Sequence, residues 1–170
     1  MLRAYSPVVL VIVATTTWLN AQNSLNEIDA FVRSQTYDKY LIILCAEREF
    51  STSKQEAERV SGLAGVPFSM NGRVWDPNRG LILPDVCDDP SYCGEYLPRR
   101  YNELHLTDNS VGYISVEKSE AYPGLPNGNY IAVAAILSSN DEAEKELLKF
   151  KPFAPKAYVA KTEIYMGCIH

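Results

Sequence analysis

The chain has 170 residues, 46% of them hydrophobic and 22% charged, with a formal net charge of −5. This is the composition of an ordinary globular protein. The acidic balance argues against a nucleic-acid partner, whose phosphates demand a cationic face.

Arg3 precedes an apolar run from Val8 to Ala14, which continues through small residues to Trp18-Leu19 and then Asn20-Ala21. A charged start, an apolar core and a small residue at the cleavage point are the order of a secretory signal peptide. Residues 1–21 are therefore expected to be a signal peptide, cut after Ala21. The apolar core is roughly a dozen residues, against about 20 needed to cross a bilayer. No cysteine follows it to carry a lipid, and no later stretch is long enough to span a membrane. The expectation is an exported protein, periplasmic or secreted, with no membrane span after cleavage. Residues 22–170, about 150 in all, suffice for one domain with its own core.

Four cysteines occur, Cys45, Cys87, Cys93 and Cys168. An even count in an exported chain suggests two disulfides. Pro90 lies between Cys87 and Cys93 and favours a turn that brings those two sulfurs together. Cys45 and Cys168 then pair by exclusion, unless Cys45 is simply a thiol buried in an apolar strand. The spacing of Cys87 and Cys93 does not suit a zinc hook, and no metal or cofactor is expected.

Along the chain, Ser24–Arg33 reads as a short helix with Leu25, Ile28 and Val32 on one face and Ser24 with Glu27 as a capping box. Tyr40–Ala46 is a strand without alternation, which suggests burial on both faces. A helix is expected over Ser53–Leu63, with Ser53 and Glu56 as its capping box, Ala57, Val60 and Leu63 inward, and Gly65 as its stop. Val66–Met70 reads as a strand and Asn71-Gly72 as a turn. Arg73–Trp75, the turn 76–80 and Leu81–Leu83 read as strand, turn, strand. A loop over 84–102 holds Cys87 and Cys93. Glu103–Thr107 and Tyr113–Ser119 are expected strands, and 122–129 is loop. Tyr130–Leu137 is a second nearly all-apolar strand. Ser139 and Glu142 cap a helix with the stripe Ala143, Leu147, Phe150, closed by Pro152 and Pro155. Lys156–Ala160 and Thr162–Cys168 end the chain as strand.

The elements repeat. A buried strand from Tyr40 leads to a helix containing Glu56-Ala57-Glu58-Arg59, and a buried strand from Tyr130 leads to a helix containing Glu142-Ala143-Glu144-Lys145. A strand follows each helix. Two strand–helix–strand units in one small domain imply an α+β fold, a ferredoxin-like βαβ-βαβ sheet with helices on one face. The stretch 76–129 is then a disulfide-bearing insertion in a single domain of residues 22–170.

Residues 127–168 resemble the first half of the SPOR (sporulation-related repeat) domain. The resemblance rests on the Tyr130-led apolar strand, the Ser/Asn-capped helix with Ala143-Glu144, the strand around Tyr158-Val159, and Ile164-Tyr165-Met166-Gly167. Val133, Ala135 and Leu137 stand where that family usually carries Gln, Gly and Phe. The first unit, 38–75, resembles the family more faintly. The resemblance implies a SPOR-like fold and a peptidoglycan glycan ligand, held by aromatics of the sheet face and loops without a covalent step.

Catalytic signatures are absent: no nucleophile elbow, zinc-protease helix or phosphate-binding glycine loop occurs. His105 alternates within Glu103–Leu106 as a structural strand residue would, and His170 is the last residue. Asp85, Asp88 and Asp89 read as a solvated loop. The surface candidate is Tyr92, Tyr96, Arg99, Arg100 and Tyr101, because aromatic faces stack on sugar rings and Arg supplies a fixed fork of donors. The same residues anchor protein interfaces, or pack a long insertion onto the sheet. The reading is a non-enzymatic, exported binding protein with a peptidoglycan glycan or an envelope protein as partner. A protein-interaction or inhibitor module, and a small hydrolase without a recognised motif, are the rival classes.

Overall fold

A computed structural model describes residues 27–87, 90–99 and 112–166. The expected signal peptide, the strand over 103–107, His105 and Cys168 lie outside the described residues. The chain divides into two units, Met1–Thr36 with Gly167–His170, and Tyr37–Met166. In the first, residues 27–34 are helical, and Ile28, Phe31 and Val32 are exposed. Ser34 Oγ donates to Phe31 O at 2.7 Å and Thr36 Oγ1 to Val32 O at 2.8 Å, closing the turn that ends the helix.

The second unit is mixed α and β. Its elements are β1 (Thr36–Glu47), α1 (Phe50–Ala64), β2 (Val74–Asp76), β3 (Gly80–Ile82), β4 (Ser115–Lys118), β5 (Tyr130–Leu137), α2 (Asn140–Phe150) and β6 (Tyr158–Tyr165). Four strands form one sheet in the order β4-β5-β1-β6, and β2 pairs with β3 apart from it. β5 runs antiparallel to both β1 and β4. Among the described residues, no helix is long and apolar enough to cross a membrane.

The two apolar strands are buried on both faces, as their lack of alternation implies. Ile42 and Leu44 of β1 and Ala132 and Ala134 of β5 face the helices, where Val60, Leu147 and Phe150 pack on them. Leu41, Ile43, Ile131 and Val133 point to the other face, where they cluster with Tyr122 and with Ile164 of β6. Among the described residues these side chains form a second buried core. The register shifts between Ile42 and Cys45 mark a bulge in the β1–β5 pairing.

The helix ends follow local chemistry in one case and tertiary contacts in the other. Ser139 caps α2, its hydroxyl accepting from Glu142 N at 3.3 Å, and Ala143, Leu147 and Phe150 form the buried stripe. The matching pattern at Ser53 and Glu56 does not cap α1. That helix begins at Phe50, and Ser53 sits inside its first turn, buried, donating to Tyr130 O at 2.6 Å. Gly65 stops α1 in the left-handed region at φ 68°, where a residue without a Cβ is favoured.

The expected strand at Val66–Met70 contributes only the bridge between Phe68 and Ile114. The sheet edge is taken instead by β4, which lies within the stretch expected as an insertion. Asn71 and Gly72 both have positive φ, 54° and 78°, and Arg73 N donates across them to Met70 O at 3.1 Å. This is the tight turn an Asn-Gly pair favours. In the β2–β3 hairpin Trp75 lies opposite Leu81, and Asp76 Oδ1 accepts from Asn78 N and Arg79 N to fold the turn.

Candidate functional site

Two assemblies of chemistry-bearing side chains stand out, one inaccessible and one open. The inaccessible one surrounds Glu117, the inward carboxylate of β4. Arg73 holds it through two parallel bonds, Nη2 to Oε1 at 2.6 Å and Nη1 to Oε2 at 2.8 Å. Ser115 Oγ donates to Oε1 at 2.6 Å, while Tyr96 OH and Arg99 N donate to Oε2 at 2.7 and 3.1 Å. Glu117 is 0% exposed and Arg73 4%. A bidentate Arg–carboxylate pair completed by further donors is the arrangement that makes a buried charge tolerable.

Arg73 extends the network, donating from Nε to Met70 O and from Nη1 to Leu97 O, both at 2.9 Å. Burial works to lower its pKa, but the Glu117 charge, Tyr96 and the Glu117 hydrogen bond together outweigh this and the net direction is up. Burial, then the Glu117 charge, push the Tyr96 phenol well above its ordinary value. The network ties the turn after α1, the segment 96–99 and β4 together. Its carboxylate is enclosed, so it meets no substrate.

The surface candidates fall partly into this network. Tyr96 turns its hydroxyl inward to Glu117. Arg99 is buried, its Nη1 donating to Val133 O at 2.9 Å and its guanidinium lying 4.2 Å from the Tyr113 ring centroid. Tyr92 is half-buried. Arg100 and Tyr101 lie outside the described residues. Tyr96 and Arg99 thus pack the loop onto the sheet instead of facing solvent.

Cys87 and Cys93 are joined, with Cα atoms 5.6 Å apart. Cys45 carries a free thiol, and Cys168, the partner expected for it, lies outside the described residues. Cys45 sits in β1 beneath α1, half-buried, 4.0 Å from the Ser53 hydroxyl. Burial raises its pKa, which keeps it protonated and weakly nucleophilic. Asp85 is exposed and paired with Arg79 at 2.7 Å, the partner that holds its carboxyl below the usual range. Asp88 and Asp89 lie outside the described residues. Among the described residues, no group of three or more His, Cys, Asp or Glu side chains is placed to hold a metal ion.

The open assembly lies where β2 meets the start of α1. Phe50 and Trp75 stack with ring centroids 4.7 Å apart and planes 2° from parallel. Tyr130 meets both edge-on, at 5.7 Å from Phe50 and 5.4 Å from Trp75. Phe50 is buried and anchors the cluster, while Trp75 remains 43% exposed. Such contacts add about 0.5–1.5 kcal/mol beyond burial and fix ring orientation. Trp75 and Phe50 border a cleft of about 430 Å³, whose other walls are Glu49, Ser51, Lys54, Gln55 and Glu58. Lys54 and Glu58 pair with one another one helical turn apart. A rigid indole beside exposed hydrogen-bonding side chains offers an apolar face and polar atoms in the same cleft.

Sequence reasoning does not single out these cleft residues, and it gives Trp75 only as a strand residue. The available signal was its size: a strand of three residues set apart from the main sheet cannot bury a tryptophan on both sides. No protein-family model, curated protein or solved structure matches this chain.

Proposed function

We propose that this protein is an exported, non-catalytic cell-envelope binding protein that takes a peptidoglycan glycan strand against Trp75. The observation that carries the reading is the half-exposed Trp75 indole, fixed flat on Phe50 and braced by Tyr130 at the mouth of a mainly apolar cleft bordered by Glu49, Ser51 and Gln55. The C–H face of a pyranose stacks on such a ring, and its hydroxyls need donors and acceptors of the kind Gln55, Glu49 and Ser51 carry. Binding of this kind needs no nucleophile.

The finer fold reading belongs with this proposal. With the β2–β3 hairpin set aside, the element order is strand, helix, strand, strand, helix, strand. The order β4-β5-β1-β6 places the opening strand of each half side by side at the centre. Both features support a ferredoxin-like, SPOR-like arrangement of two βαβ halves. Export is supported by the charged, apolar, cleavable order of residues 1–21 and by the Cys87–Cys93 disulfide, a bond that persists in oxidising compartments.

A pull-down with purified sacculi tests the proposal, comparing intact sacculi with sacculi stripped of stem peptides by an amidase. Retention should rise on the stripped preparation and fall when Trp75 is changed to Ala. Absence from both preparations would overturn the glycan ligand and turn the search to an envelope protein.

A further inference from the structure

We infer that the Trp75 cleft is one half of an extended site, and that a second cleft around Tyr158 takes the adjoining units of the same sugar chain. The inference rests on the glycan reading above and adds a second, separately testable set of residues.

The second cleft measures about 830 Å³ and lies across the N-terminal half of α1 from the first. Gln55 borders both, so the two are neighbours along the helix, with one exposed amide between them. The second cleft carries its own exposed aromatic ring, Tyr158 at the start of β6, 41% exposed. Each cleft alone falls within the roughly 300–1,000 Å³ of a small-ligand site. Together they offer two aromatic faces with a two-headed hydrogen-bonding side chain between them, which suits a linear chain of repeated rings better than one small molecule.

The charges of the second cleft are largely paired within the protein. Glu56 is held by Arg59 through two bonds, at 2.7 and 2.6 Å, and Arg59 Nη2 also donates to Phe153 O at 2.7 Å. In the first cleft Lys54 pairs with Glu58, and Glu49 leaves the wall slightly acidic. Glu47 and Lys156, of opposite sign, complete the wall of the second. No net cationic field remains to select a phosphate or a polyanion. Recognition falls mainly to stacking and hydrogen bonds, the chemistry of a polyhydroxylated, amide-bearing sugar chain.

Calorimetry with the full chain tests this, using β-1,4-linked N-acetylglucosamine oligomers of two and of six units. Two linked contacts raise affinity through effective concentration, so the six-unit sugar should bind at least about tenfold more tightly than the two-unit sugar. Tyr158→Ala should remove that gain and leave two-unit binding unchanged, whereas Trp75→Ala should weaken both. Gln55→Ala, on an exposed helical position, should likewise reduce six-unit binding without touching β6. Equal affinity for both lengths, with Tyr158→Ala silent, would overturn the second cleft while leaving the sugar ligand in place. No heat with either oligomer would overturn the sugar ligand and the second cleft with it.

Discussion

Arg73 and Glu117 meet as a bidentate ion pair, 2.6 and 2.8 Å, with almost no exposure on either side chain. Arg73 follows the turn after α1, and Glu117 is in the edge strand β4. Their pairing fastens the long connection between α1 and β4 onto the sheet. Tyr96 and Arg99 join it from the segment just after the disulfide loop. The β2 strand that carries Trp75 begins at the next residue after Arg73. The buried pair is thus the foundation of the exposed platform.

Removing one partner leaves the other charged, buried and unpaired, which costs about 3–5 kcal/mol. Arg73→Met should therefore lower stability by that amount in urea denaturation. Arg73→Met combined with Glu117→Leu should recover part of the loss, because no orphaned charge remains. Equal losses in the single and double variants would show that packing, not charge, governs the site.

The Cys87–Cys93 disulfide closes a short loop just ahead of Tyr96 and Leu97. For a loop of this size the chain-entropy account gives about 2 kcal/mol. Replacing both cysteines with Ser should lower the thermal midpoint accordingly. The wild type in the presence of a dithiol reductant should show the same loss.

The two serines of similar sequence context act differently, and substitution should expose this. Ser139→Ala removes a helix cap and should cost about 1 kcal/mol. Ser53→Ala removes a buried bond from α1 to β5 and should cost about 1 kcal/mol as well. The circular dichroism of the two variants separates them. Only Ser139→Ala should fray a helix end and reduce helical signal before the global transition.

Stability should fall at alkaline pH through Tyr96. Burial, followed by the Glu117 charge, raises its folded pKa well above the ordinary value. The unfolded chain loses that proton at about pH 10, while the folded protein keeps it. Between those two values the unfolded state binds fewer protons, so the unfolding free energy decreases as pH rises. The contribution is intact below about pH 10. Urea midpoints measured from pH 9 to 11 should drop, and Tyr96→Phe should flatten the slope. An unchanged slope in that variant would assign the effect to other groups.

Much of the fold was legible where a single physical demand dominates a segment. The unbroken apolar runs in β1 and β5 leave no polar face, so both strands had to lie between two layers. Ser139 and Glu142 precede a clean apolar stripe, and the helix begins there. The same cap pattern at Ser53 misled because Phe50, three positions earlier, finds its partners in Trp75 and Tyr130, and those contacts extend α1 backwards. The strand expected at Val66–Met70 met a competitor: β4 pairs with β5 and takes the edge, leaving Phe68 one bridge. The site was harder to read. Tyr96, Arg99 and Trp75 are all residues that stack and anchor, and nothing local says which side faces water. A buried glutamate in β4 turns Tyr96 inward, the Val133 carbonyl holds the Arg99 guanidinium, and the shortness of β2 leaves Trp75 outside.

The most direct test of the central claim follows Trp75 itself. Trp18 and Trp75 are the tryptophans of the chain, and Trp18 lies in the expected signal peptide, so residues 22–170 carry Trp75 as their sole indole. Titrating residues 22–170 with soluble glycan strands, released from amidase-treated sacculi, should shift and saturate the indole emission as a sugar ring covers its exposed face. Emission that stays unchanged up to millimolar sugar, in a protein with intact circular dichroism, would contradict a glycan site at Trp75.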